Sequence, residues 1–120
     1  MNAEIKQLWC DALRSGEYAQ NCYALRSIYD EFCCFGVLCD LYQKTHSNAS
    51  WNNNNLRGQW FFDDGTELCV AATTDLVNEW AGLDCNIPIV SYRDVEDNLT
   101  TLNDRGISFA EIAQIIEEQL

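Results

Sequence analysis

Residues 32–42 read Phe-Cys-Cys-Phe-Gly-Val-Leu-Cys-Asp-Leu-Tyr, an apolar run whose single charge is Asp40. Phe35, Leu38, Cys39 and Tyr42 fall on one helical face, and Val37 and Leu41 widen it. A helix apolar over most of its circumference belongs at the centre of a fold. The rest of the chain must therefore wrap around it. Gly36 costs such a helix up to about 1 kcal/mol relative to Ala, so its presence predicts a close backbone approach. Phe32-Cys33-Cys34 is expected as an extended lead-in pairing with residues 22–26, with Asp30 or Glu31 at the helix start.

Seven cysteines make an odd number: Cys10, Cys22, Cys33, Cys34, Cys39, Cys69 and Cys85. Met1-Asn2-Ala3-Glu4-Ile5-Lys6 has neither the basic nor the apolar region of a signal peptide. Reduced, buried thiols in a cytoplasmic protein are the expectation. Zinc needs two ligand pairs at knuckle spacing. Cys34 and Cys39 have four residues between them, His46 lies seven beyond Cys39, and no second pair follows. No metal and no cofactor are expected. No window approaches the ~18 apolar residues of a membrane span.

The 120 residues carry 7 basic and 19 acidic side chains, a net charge of −12. The acids are scattered from Glu4 to Glu118. The basic residues stand singly and form no stripe, which disfavours direct binding of nucleic acid. An acidic surface suits a partner with a basic face.

Ile5, Leu8, Trp9, Ala12 and Leu13 recur at helical spacing, and Gly16 suits the end of that helix. Residues 17–21 read as polar connection and 22–26 as a short strand. A flexible polar loop is expected near 44–56. Trp51 within it either tucks onto the core or is offered to a partner. Asp63-Asp64-Gly65-Thr66 between two strand-like runs predicts a β-hairpin near 59–71. Thr74 or Asp75 caps a helix with Leu76, Val77, Trp80 and Leu83 inward. Residues 87–92 are extended, and Pro88 places them at an edge or a strand start. A helix is expected over 94–103, and Ser108 with Glu111 is a capping box opening a last one. The whole is expected to be one α+β domain over 1–120, about four helices packed around a small antiparallel sheet. The expected core is Leu8, Trp9, Leu13, Phe35, Leu38, Cys39, Trp60, Leu68, Val77, Trp80, Ile112 and Ile116.

No catalytic motif is legible. A cysteine nucleophile needs a histidine partner, and the one histidine, His46, lies in the polar loop. An enzyme using Cys34 or the Asp63/Asp64/Glu67 carboxylates is the least favoured reading. Two binding sets stand out. Trp51, Asp63, Asp64 and Glu67 are candidates for a partner surface. Tyr23, Arg26, Arg57, Trp60, Tyr92 and Arg93 supply aromatic faces and guanidinium groups for an anionic ligand such as a nucleotide, which would require an oligomer to concentrate the arginines.

Four blocks carry a resemblance. They are Leu8-Trp9 with Ala12-Leu13-Arg14-Ser15-Gly16-Glu17-Tyr18, Gln20 and Leu25-Arg26; Phe32 to Leu41; Trp80-Ala81-Gly82-Leu83; and Leu102-Asn103-Asp104 with Gly106, Ser108-Phe109 and Glu111-Ile112-Ala113. Together they resemble a family of small uncharacterised proteins encoded by tailed phages and prophages. The resemblance implies an accessory protein of the bacterial host's cytoplasm. Such a protein would bind and inhibit a host protein, a component of antiviral defence being one class, or would act as a sponge for a nucleotide signal.

Overall fold

The computed structural model describes residues 1–54, 58–85 and 87–120, with Asn54 described for its backbone alone. The central element is helix α2 (Cys34–Thr45), in which every residue from Cys34 to Cys39 is buried. Its N-cap is Cys33, whose Sγ accepts the Gly36 N–H at 3.3 Å. Asp30 and Glu31 are thus not the helix start. Asp30 lies at a turn with φ of 57°, and Glu31 is in an extended segment.

Helix α1 (Ala3–Arg14) buries Ile5, Trp9, Cys10 and Leu13. Trp9 Nε1 donates to the Cys34 carbonyl at 2.9 Å, and its ring tilts against Phe35. Helix α5 (Phe109–Gln119) opens on the Ser108 cap and buries Phe109, Ile112, Ala113, Ile115 and Ile116. It packs along α1, where Arg14 pairs with Glu117 at 2.8 Å. Helix α3 (Asp75–Ala81) is capped by Thr74 and stopped by Gly82 in the left-handed region. Helix α4 (Leu99–Asp104) is capped by Asn98.

Five helices and three short sheets thus make an α+β fold among the described residues. β1 (Ala19–Gln20) and β2 (Glu31–Phe32) pair in parallel. β3 (Ser50–Asn54), β4 (Gln59–Asp63) and β5 (Leu68–Cys69) form an antiparallel sheet in that order. β6 (Ile89–Tyr92) and β7 (Val95–Asn98) form a hairpin.

Isolated bridges join the first two sheets. Arg26 bridges Phe32, Ser27 bridges Gln59, and the Trp60 N–H donates to the Arg26 carbonyl at 3.0 Å. Residues 25–27 and β5 lie end to end beside β4, because the Leu25 N–H donates to the Val70 carbonyl at 2.8 Å. This curled platform brings Leu25 across the start of α2. A Cβ on Gly36 would stand 1.8 Å from the Leu25 carbonyl oxygen, which is the close approach the glycine predicts.

The hairpin expected near 59–71 is present as β4–β5. Several other expectations change. Residues 50–54, inside the expected loop, are strand β3. Residues 94–103 do not form one helix: the first part is β7, because Arg93 and Asp94 both turn with positive φ and send the chain back along β6. Residues 22–26 contain a bend at Tyr23, with φ of 71°, in place of a continuous strand. Of the expected core, Leu8 is 49% and Leu68 58% exposed, and Trp60 and Trp80 are half-buried. The other eight are buried.

Asn103 is fully buried and ties three elements together. Its Oδ1 accepts the Cys34 N–H and the Gln20 amide, each at 3.1 Å, while its Nδ2 donates to the Asn21 carbonyl at 2.8 Å. No helix among the described residues is long and apolar enough to cross a membrane.

Candidate functional site

The β6–β7 hairpin leans on α5, where Gln119 donates to the Ser91 carbonyl and accepts the Ser91 N–H, each at 2.7 Å. Across the hairpin Tyr92 pairs with Val95 and Val90 with Asp97, so these four side chains share one face. Between that face and the α4–α5 corner lies a cavity of about 380 Å³. Leu102, Val95 and Ile107 supply its apolar lining, and Tyr92, Arg93, Asp97, Arg105 and Glu111 its polar groups.

The charges at its mouth are unequally satisfied. Arg105 stands 3.6 Å from Asp97, a loose pair. The Tyr92 hydroxyl donates to Glu111 at 3.4 Å. Arg93 lies over the Tyr92 ring, 5.2 Å from its centroid, and forms no ion pair among the described residues. Arg93 and Asp94 have φ of 51° and 66°. Two-residue hairpin turns of this hand favour Asn-Gly. Holding an arginine there costs about 1 kcal/mol or more.

The sequence-predicted anionic-ligand set does not converge. Tyr92 and Arg93 line the cavity. Arg26 and Trp60 are elsewhere, on the platform. Arg26 lies over the rings of Trp60, Phe32 and Trp51 at 4.2, 5.3 and 5.5 Å and chelates Asp30 through Nε and Nη2. Trp60 Nε1 is buried without a hydrogen-bond partner among the described residues. Tyr23 is exposed, its N–H donating to Asp104. Arg57 lies outside the described residues.

The partner-surface set gathers at one end of the β3–β4 pair but offers less surface than expected. Trp51 is half-buried against Phe32 and Phe62, and its Nε1 donates to Asp40 Oδ1 at 3.0 Å. Of its two alternatives, the ring takes the core. Asp64 is fully buried. Its Oδ1 accepts the N–H groups of Thr66 and Glu67 and the Thr66 hydroxyl, each at 2.8 Å. Burial acts to raise its pKa, but hydrogen bonding from Thr74, Thr66 and Glu67 outweighs it, and the net shift is downward. Oδ2 has no hydrogen-bond partner within ordinary distance among the described residues. Asp63 accepts the Gly65 N–H, and Glu67 is exposed.

Asp40 holds a polar cluster that sequence reasoning missed. Tyr18 donates to its Oδ2, Lys44 stands 3.6 Å away, and Lys44 also donates to the Tyr18 hydroxyl at 3.0 Å. Burial and the bond to Asp40 push the Tyr18 pKa up, so this phenol keeps its proton. Asp40 and Lys44 share a helix face at i, i+4 spacing, a readable signal; Tyr18 and Trp51 reach Asp40 from outside the helix.

Four of the thiols are equally unreactive, whereas Cys85 is exposed. Burial pushes Cys33 up to about 11 and Cys69 up to about 12, and raises Cys34 and Cys39 well above the usual value. A thiol so shifted carries little nucleophilic thiolate near neutral pH. His46 stacks on Tyr42 with its Nδ1 at 2.8 Å from the Tyr42 carbonyl oxygen. Among the described residues no group of three or more His, Cys, Asp or Glu side chains is placed to hold a metal ion.

No curated protein and no solved structure matches the chain. A family model described as a domain of unknown function, DUF8296, matches residues 1–120, and the chain belongs to that family.

Proposed function

We propose that this chain is a non-enzymatic, phage-type accessory protein that docks on a basic host protein through its acidic surface and inhibits it in the cytoplasm. One observation carries the reading: only four of the 19 acids stand in an ion pair among the described residues. Most of the remaining carboxylates lie at the surface and leave a field that steers a basic partner into contact. The low nucleophilicity of the buried thiols favours binding over cysteine catalysis. A component of antiviral defence is the class of host protein that the phage-type resemblance suggests.

The test is capture from bacterial lysate on immobilised protein, washed with increasing salt. A specific basic host protein should be retained at low salt and released as the Debye length shrinks. Glu67→Lys with Glu79→Lys should weaken its retention. Recovery of no partner at low salt would remove the reading.

A further inference from the structure

We propose that the cavity between the β6–β7 hairpin and the α4–α5 corner is a binding site for a small organic acid, a single carboxylate on an apolar body. The site is independent of the docking surface.

Its volume, about 380 Å³, lies at the lower end of the range of small-ligand pockets. Leu102, Val95 and Ile107 give an apolar lining that takes a hydrocarbon or aromatic body. The polar groups at the mouth select the head. Arg93 is the group left over: it has no carboxylate partner among the described residues, whereas Arg105 already faces Asp97. A guanidinium binds a carboxylate through two parallel N–H bonds. Arg105 can turn to join it, because its pair with Asp97 is loose and its side chain exposed.

The two acids set the upper limit of ligand charge. Asp97 and Glu111 border the same cavity. A phosphate with two negative charges meets repulsion from both, whereas a monoanion is matched by the unpartnered Arg93. This disfavours a nucleotide, even though Tyr92 presents a stacking face.

The backbone supplies an independent observation. Arg93 is held in the left-handed region at a turn where glycine or asparagine would be relaxed. Strain of this kind collects at ligand clamps. Here it places the guanidinium over Tyr92 at the cavity mouth.

The experiment is an NMR titration of the full chain. The probes are hexanoate and phenylacetate, their amides hexanamide and phenylacetamide, and adenosine monophosphate. Both acids should give saturable shifts at Tyr92, Val95, Leu102 and Ile107, and the amides at least tenfold weaker ones. Arg93→Gln should weaken acid binding at least tenfold, and Arg14→Gln should leave it unchanged. Arg93→Gly serves as a second variant, since it removes the guanidinium while relaxing the turn. It should melt no lower than the parent and still lose the acid. Equal binding of acid and amide, stronger binding of the nucleotide, acid binding retained in both Arg93 variants, or no saturable shift at these residues would each overturn the proposal.

Discussion

The Asp64 carboxylate is sealed from water, and its pKa nevertheless lies below the ordinary 3.8. Charge survives there because donors from Thr66 and Glu67 converge on one oxygen. Asp64→Asn places an amide among those donors and should cost about 1–3 kcal/mol in urea unfolding near neutral pH. A depressed pKa contributes stability that is present above the unfolded value and is lost as pH falls through the folded one. The gap between parent and variant should therefore narrow below about pH 4. A gap that stays constant into acid would mean that the carboxylate is not held by these bonds. The residue itself was visible in the sequence as a turn acid. Its burial was not, because burial depends on Thr74, the cap of α3, meeting the β4–β5 turn.

Helix α2 and the hairpin β6–β7 show the two outcomes at the scale of elements. In α2 periodicity and composition agree with the fold, and Gly36 marks the crossing of Leu25. Alanine at this position gains up to about 1 kcal/mol of helix propensity. Against that, its Cβ would overlap a backbone carbonyl at 1.8 Å, and overpacking against backbone costs about 3 kcal/mol or more. Sterics should win: Gly36→Ala should lower the thermal midpoint sharply or prevent folding, as read by circular dichroism. A variant as stable as the parent would show that residues 25–27 can move aside freely. The first strand of the hairpin lies within the expected extended segment, but the second, β7, reads as the start of a helix because Val95, Leu99 and Leu102 have helical spacing. The reversal depends on left-handed Arg93 and Asp94, a conformation that arginine does not advertise.

At the scale of the whole molecule, 19 acids face 7 basic groups. Most of the acids sit at the surface, so their mutual repulsion should oppose the folded state and be screened by salt. Raising sodium chloride from about 10 mM to about 150 mM, across which the Debye length falls from roughly 30 to 8 Å, should raise the melting temperature. An unchanged or lower melting temperature would show that the surface charges do not strain the fold. The same screening should weaken docking on a basic partner, so stability and binding are expected to respond to salt in opposite directions.

The α+β class, the buried central helix, the capping box at Ser108, the Asp-Gly hairpin and the charge were all determined by local properties: side-chain period, turn chemistry and composition act within a few residues. Tertiary structure alone decided that Trp51 turns inward to Asp40, that Asn103 ties α4 to α2 and residues 20–21, that Arg26 and Arg93 belong to separate places, and that a cavity opens beside the hairpin. Each of these needs groups from separate elements to meet. Such meetings depend on how the apolar faces of several elements are buried together, which no local pattern encodes.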